Sequence, residues 1–330
     1  MKVLFIGGTG TISSACSELA VERGMELYLL NRGTSARPAP EGARVFTADI
    51  RDRTAAEAAL DGLSFDAVVD WVAYTPEHVE ADLALFRDRT EQYVFISSAS
   101  AYQTPPRRLP VTERTPLENP FWDYSRAKIA CEARLMQASK NDGFPVTIVR
   151  PSHTYDSMSL PFHGRYTVID RMRKGKQVIV HGDGTSVWVL THSRDFAVGF
   201  VGLLGNPRAI GEVFHITTDE LLTWNQIYET LAQAAGAEAD IVHVPSKVIA
   251  AWDADWGAGL LGDKAHSMVF DNTKIRRLVP AFKPKTTYSQ GAKRILDWFD
   301  ADPARRVVDE KIDGLMDEIV AAMATSKPAT

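Results

Sequence analysis

Val3-Leu4-Phe5-Ile6-Gly7-Gly8-Thr9-Gly10-Thr11-Ile12-Ser13 follows directly on Met1 and Lys2, and how it reads decides the fold. The four leading residues are apolar, as in a strand covered on both faces. The glycines that follow let the backbone turn tightly, and from Ser13 to residue 23 the apolar side chains recur at helical spacing. Strand, glycine turn and helix in that order aim backbone N–H groups and the positive end of a helix dipole at one point, which suits a pyrophosphate. The third position of the glycine pattern is Ser13, small enough for helix–strand packing but a departure from glycine.

Working outward, strand-like runs recur at residues 26–30, 44–47, 67–70, 93–97 and 146–149, nearly all apolar. Helical patterns fill 54–60, 77–87 and 124–139 between them. That alternation predicts an α/β protein, and right-handed crossovers leave a Rossmann-like doubly wound parallel sheet as the economical topology. Past Pro151 the rhythm breaks. Helix is expected at 161–174, at 194–204 and over most of the chain from 223, with short strands at 178–180, 187–190, 214–217 and 241–244. The expected division is a dinucleotide-binding domain from residues 1–157 plus about 190–217, and a smaller, mostly C-terminal α/β substrate lobe from about 158–189 plus 218–330. The tail, residues 326–330, is expected to fray.

Composition narrows the partners. A net charge of −5 excludes a global basic footprint, so nucleic acid is not an expected partner. No stretch approaches the ~20 apolar residues of a membrane span. Cys16 and Cys131 fall inside predicted helices, too few for a disulfide framework and without metal-like spacing, which suits a reducing, cytoplasmic setting. His153, His163, His181 and His192 form no metal-ligand pair, so no metal is expected. A small-molecule substrate remains.

The second strand ends in Asn31-Arg32-Gly33, with no carboxylate to receive a ribose diol. Arg32 can pair with a 2′-phosphate or stack on an adenine face. NADP(H) is therefore favoured, and NAD(H) stays open. Asp49 and Ile50 end the third strand where an adenine ring would lie, and Ala73 and Tyr74 follow the fourth strand along the cofactor's path. The fifth strand closes in Ser97-Ser98-Ala99-Ser100-Ala101-Tyr102. Tyr124 and Lys128 are four apart, hence on one helix face, and of the nine tyrosines Tyr124 alone has a lysine four residues on. A free phenol titrates near ~10, so a proton-shuttling tyrosine at neutral pH needs ~4 kcal/mol in favour of its phenolate. The Lys128 ammonium and an oxidised nicotinamide are the expected sources.

Together these features resemble the extended short-chain dehydrogenase/reductase family, often labelled NAD-dependent epimerase/dehydratase, over nearly the whole chain. Arg150-Pro151-Ser152 looks like the family's turn near the nicotinamide, His192-Ser193-Arg194-Asp195 like its histidine–acid helix start, and Phe270-Asp271-Asn272-Thr273-Lys274 like its late Asp-x-x-Lys segment. Asn31-Arg32-Gly33 and the His192 segment look closest to a branch that includes chloroplast stem-loop RNA-binding proteins.

The resemblance implies an NAD(P)-dependent oxidoreductase on an alcohol or carbonyl of a sugar or related small molecule. Catalysis falls to Ser98, Tyr124 and Lys128. The cofactor falls to Gly7, Thr9, Gly10, Thr11, Ile12, Asn31, Arg32, Asp49, Ile50, Ala73, Ser97, Tyr124, Lys128 and Pro151. The substrate falls to Tyr74, Ser98, Ser100, Tyr124, His153 and Trp188. An epimerase that holds its NAD tightly, or a non-enzymatic RNA-binding or regulatory member, are the alternatives, and a homodimer is compatible with either. Two departures carry information. Dehydratases of the family place an Asp-Glu pair where this chain has Ala99 and Ser100, which speaks against water elimination. Sugar-nucleotide enzymes hold the diphosphate with an arginine where this chain has Trp188, an indole that can stack on a substrate ring or pack in the lobe.

Overall fold

The computed structural model describes residues 1–325, and the tail at 326–330 lies outside them. The central sheet contains β1 (Lys2–Ile6), β2 (Glu26–Asn31), β3 (Arg44–Thr47), β4 (Ala67–Asp70), β5 (Tyr93–Ile96) and β6 (Val146–Pro151), together with the strand Val213–Ile216. Every pair is parallel, and the order runs 213–216, β6, β5, β4, β1, β2, β3. Helices α1 (Ser13–Glu22), α2 (Arg53–Ala59), α3 (Pro76–Phe86) and α4 (Asp123–Asp142) cover its faces.

The alternation along β1 shows why both faces need covering. Val3 and Phe5 pack with Ala15, Cys16 and Ala20 of α1 and with Phe196 and Phe200 of the helix Ser193–Val201. Leu4 and Ile6 pack on the other side with Ala56, Val79, Leu83, Cys131 and Leu135 of α2, α3 and α4. All four strand residues are buried, each worth roughly 1.5–3 kcal/mol of transfer free energy. β3 departs from the expectation of continuous apolar cover. Arg44, Val45 and Thr47 are exposed because β3 is the sheet edge, with β2 on one side and solvent on the other.

The strand order turns around at β1. The chain leaves β1 toward β2 and β3 and returns on the opposite side as β4, which opens a crevice at the carboxyl ends of β1 and β4. Residues 7–13 form one wall of it and residues 71–74 the other.

The rest of the chain builds a second core around Trp188, Tyr228, Phe299 and Met316. It contains the two-stranded pairs Val178–His181 with Ile241–Val244 and Val187–Trp188 with Leu222–Thr223, beside the helices Tyr166–Arg173, Trp224–Ala234, Tyr288–Asp300 and Glu310–Thr325. The first of these helices starts later than the sequence pattern suggests. Gly164 at φ +82° and Arg165 at φ +48° hold a turn that no right-handed helix allows, and a Cβ on Gly164 would meet Ile312 at 2.8 Å. No helix among the described residues is long and apolar enough to cross a membrane, and none of their His, Cys, Asp and Glu groups could hold a metal ion.

Candidate active site

The glycine turn is stitched by side chains. Gly7 sits at φ +86°, and a Cβ there would lie 2.6 Å from Val72 on the opposite wall of the crevice. Ser13 takes the third glycine position for a reason the sequence pattern does not show. Its hydroxyl donates to the Gly7 carbonyl and accepts from the Gly10 amide, both at 2.7 Å. Asn31 belongs to the same device, since its Oδ1 accepts from the Gly8 amide at 3.1 Å, so its side chain braces the turn rather than reaching for a ribose. The amides of Thr11 and Ile12 have no partner among the described residues, and α1 carries no acid in its first turn. Two free N–H groups at the start of a ten-residue helix form a cradle that fits the pyrophosphate of a dinucleotide.

Arg32, at the tip of β2, is exposed and makes no hydrogen bond or ion pair among the described residues. Asp49 accepts from the Arg51 amide at 3.0 Å, Ile50 is buried, and Arg51 reaches across to the Val72 carbonyl at 2.5 Å. Arg51 went unnoticed in the sequence because nothing local marks it.

Lys128 is 1% exposed and donates to the carbonyls of Ala73 at 2.6 Å and Ile96 at 2.7 Å. Ile96 ends β5 and Ala73 lies in the loop after β4, so the lysine ties that loop to the strand end and keeps its third N–H unused. Burial pushes its pKa down to about 8, against the opposing pull of Asp70. Its nitrogen stands 5.8 Å from the centre of the Tyr124 ring and 4.7 Å from that of Tyr74, which is half exposed. Burial, then Tyr74, pushes the Tyr124 phenol up to about 12, with the Ser98 hydroxyl pulling the other way and Asp263 adding to the rise. Lys128 therefore does not offset the burial of the phenol by itself. In this state the phenol keeps its proton at neutral pH.

Behind Tyr124 runs a chain of hydroxyls. Ser125 donates to Ser100 at 2.7 Å, and Ser100 meets Ser98 at 2.9 Å. With Ser125 donating to it, the Ser100 hydrogen is directed to Ser98, which leaves the Ser98 hydrogen for a group in the cavity. Ser100 is 3% exposed and lines the same cavity as Ser98. The Ser97 hydroxyl donates to Glu132, itself paired with Arg150, so this side chain is already engaged in the buried interior. Pro151 is buried at the end of β6, in register with Ile216.

A cavity of about 250 Å³ opens beside Ser98 and Tyr124, walled by Trp122, His153, Asp263 and Lys264. It shares Trp122, His153 and Lys264 with a neighbouring cavity of about 240 Å³ that adds Phe162, Trp224, Tyr228 and Trp256. Asp263 and Lys264 end a π-helical turn, Leu260–Lys264, a local irregularity that recurs at functional sites. They arrive from 139 and 140 residues beyond Tyr124, with no motif of their own to announce them. The Lys264 carbonyl is fixed by His181 at 2.9 Å and Trp224 at 3.2 Å, and its ammonium lies 3.3 Å from Asp263. A larger groove of about 750 Å³ beside Val213, Lys274 and Arg277 contains none of these residues.

Trp188 does not line either cavity. It is 1% exposed in the core, and its Nε1 donates to His153 Nδ1 at 3.2 Å, so direct stacking on a substrate is corrected to a supporting place behind His153. His153 itself faces both cavities. Burial, then Lys264, pushes it down to about 3, so it is neutral. Because the indole can only donate, the imidazole hydrogen sits on Nε2.

The model of the NAD dependent epimerase/dehydratase family matches residues 3–217. The chain belongs to that family. It is thus an enzyme of the extended short-chain dehydrogenase/reductase type. Among its relatives are the chloroplast stem-loop binding protein of 41 kDa b from Arabidopsis thaliana, 26% identical over 97% of this chain and 84% of that one. Another is the 2'-dehydrokanamycin reductase of Streptomyces kanamyceticus, 24% identical over 100% of this chain and 92% of that one. An epimerase from Methanothermobacter thermautotrophicus superposes with a TM-score of 0.77 at 17% identity, covering 92% of this family member and 94% of its own chain, which shows a common fold.

Proposed function

We propose that the protein is an NAD(P)-dependent oxidoreductase acting on an alcohol or carbonyl of a sugar or related small molecule that bears no nucleotide diphosphate. The observation that carries this is the cavity wall: no arginine lines the space beside Tyr124 or the aromatic space next to it, and the one ammonium there already faces a carboxylate. A diphosphate taken out of water needs cations or several donors, whereas indole and phenyl faces suit a sugar ring. The name of the 2'-dehydrokanamycin reductase, which speaks of reduction without mentioning a nucleotide, agrees with this reading.

Residues 1–157 and about 190–217 would hold the dinucleotide, and the remainder would shape the substrate lobe. Thr9, Gly10, Thr11 and Ile12 would cradle the pyrophosphate, Asp49 and Ile50 would flank the adenine, and the free N–H of Lys128 would take a ribose hydroxyl. Arg32, exposed and without a partner where a carboxylate would select the ribose diol, supports NADP(H) as the preferred cofactor. When bound, the nicotinamide supplies or accepts the hydride. The chain's own part is to hold and protonate. Ser98 donates to the substrate oxygen, and Tyr124, whose proton is retained in this environment, delivers it as that oxygen gains charge.

Reduction assays over keto-sugars with NADPH, beside calorimetry with UDP and dTDP, test the reading. Turnover of a free or simply derivatised keto-sugar that is lost by at least ~10²-fold in Tyr124→Phe is expected. Micromolar binding of either nucleotide would overturn the substrate class.

A further inference from the structure

Residues 33–43, after β2, fold back over the glycine turn. The Ser35 hydroxyl donates to the Thr9 carbonyl at 3.0 Å and accepts from the Arg37 amide at 3.1 Å. The Arg37 guanidinium then crosses to the segment after β6. Its Nη2 donates to both carboxylate oxygens of Asp156, at 3.1 and 2.9 Å, and to the Ser159 hydroxyl at 2.8 Å. Ser159 in turn meets the Thr11 hydroxyl at 2.9 Å. The guanidinium therefore stands two hydrogen bonds from the helix start where the amides of Thr11 and Ile12 are free. All its contacts converge on Nη2. Nε is buried without a partner, and Nη1 has none among the described residues. The side chain is only 18% exposed. A desolvated guanidinium N–H with no acceptor is unfavourable and uncommon in a native structure.

We propose that Arg37 is a phosphate-binding residue of the dinucleotide site, held through Nη2 by Asp156 and Ser159 so that its unused Nη1 serves the pyrophosphate carried on the glycine turn. A planar guanidinium can keep a carboxylate on one nitrogen and offer the others to a phosphate oxygen, which an ammonium cannot do. The inference rests on the dinucleotide reading and adds to it a residue distinct in effect from Arg32. Arg32 at the strand tip discriminates the 2′-phosphate, whereas Arg37 acts on any ligand that carries the pyrophosphate.

Calorimetric titration of the purified protein with ADP-ribose, NADH and NADPH tests it. Arg37→Ala is expected to weaken all three by about ten- to a hundredfold, the range for a hydrogen bond to a charged group, and Arg37→Lys to restore part of the loss. Asp156→Asn breaks the same ion pair but keeps the guanidinium, so it is expected to cost clearly less. Equal losses in Arg37→Ala and Asp156→Asn would reduce Arg37 to a tie between segments and overturn the proposal. So would unchanged affinities, or a loss confined to NADPH. Should Arg37→Ala fail to fold, Arg37→Lys and Arg37→Gln carry the comparison. A wild-type protein that binds none of the three ligands would remove the dinucleotide reading itself, whereas tight wild-type binding with indifferent variants would remove only the role of Arg37.

Discussion

The ammonium nitrogen of Lys128 lies 5.8 Å from the centre of the Tyr124 ring and is anchored to the carbonyls of Ala73 and Ile96. Spacing of four residues on α4 puts both side chains on one face, but the loop after β4 and the end of β5 decide where the lysine nitrogen stops. The result is a buried cation beside a protonated phenol rather than a direct contact between the two.

The depressed Lys128 pKa of about 8 gives a pH dependence of known sign. The ammonium is present below that value and is lost as pH rises through it, so cofactor affinity of the free protein is expected to fall above about pH 8. The unfolded lysine titrates near ~10.4, so between the two values the unfolded chain binds more protons and the fold gains stability with rising pH. Titration of NADPH and urea unfolding as functions of pH, in wild type and Lys128→Met, measure both. The same pH profile in the variant would count against Lys128 as the titrating group.

Ser100 is predicted to act through Ser98. Ser100→Ala removes the group that receives the Ser125 hydrogen and directs its own to Ser98, without adding bulk to the cavity. Turnover is expected to drop several-fold while NADPH affinity stays near wild type, and the Ser125 hydroxyl left without its acceptor costs ~1–3 kcal/mol of stability. A loss of cofactor affinity as large as the loss of turnover would mean that the serine chain shapes the crevice instead.

Arg32→Ala is predicted to weaken NADPH by about tenfold or more, the scale of one charge-assisted hydrogen bond, and to leave NADH nearly unchanged. Binding titrations with both cofactors decide it. Equal losses would place the guanidinium on the adenine face, where the 2′-phosphate is irrelevant.

Trp188→Ala is predicted to destabilise the protein by ~3–5 kcal/mol, as large aromatic deletions in a core do, because the indole is buried and supports His153. Urea unfolding reads this directly. A variant of normal stability with impaired substrate binding would restore the stacking role that the sequence suggested.

The sheet, the glycine turn and the Tyr124–Lys128 pair were legible from residues 3–13 and 124–128 because each depends on neighbours in the chain. A strand, a tight turn and a helix face are set by spacings of two to four residues. The edge position of β3 was not legible, since an apolar run reads the same whether or not another strand lies beside it. Nor was the late helix start at Tyr166, where the turn at Gly164 and Arg165 is held against Ile312 of a distant helix.

What the sequence determined by itself was therefore local: which segments become strands, where the glycine turn opens the first helix, and which tyrosine carries a lysine one helical turn on. Only the tertiary structure brought Asp263 and Lys264 to the wall facing Tyr124, buried Trp188 behind His153, and drew Arg37 across to Asp156. Those placements join residues more than thirty positions apart. They follow from how two cores close against each other, and no residue spacing encodes that closure.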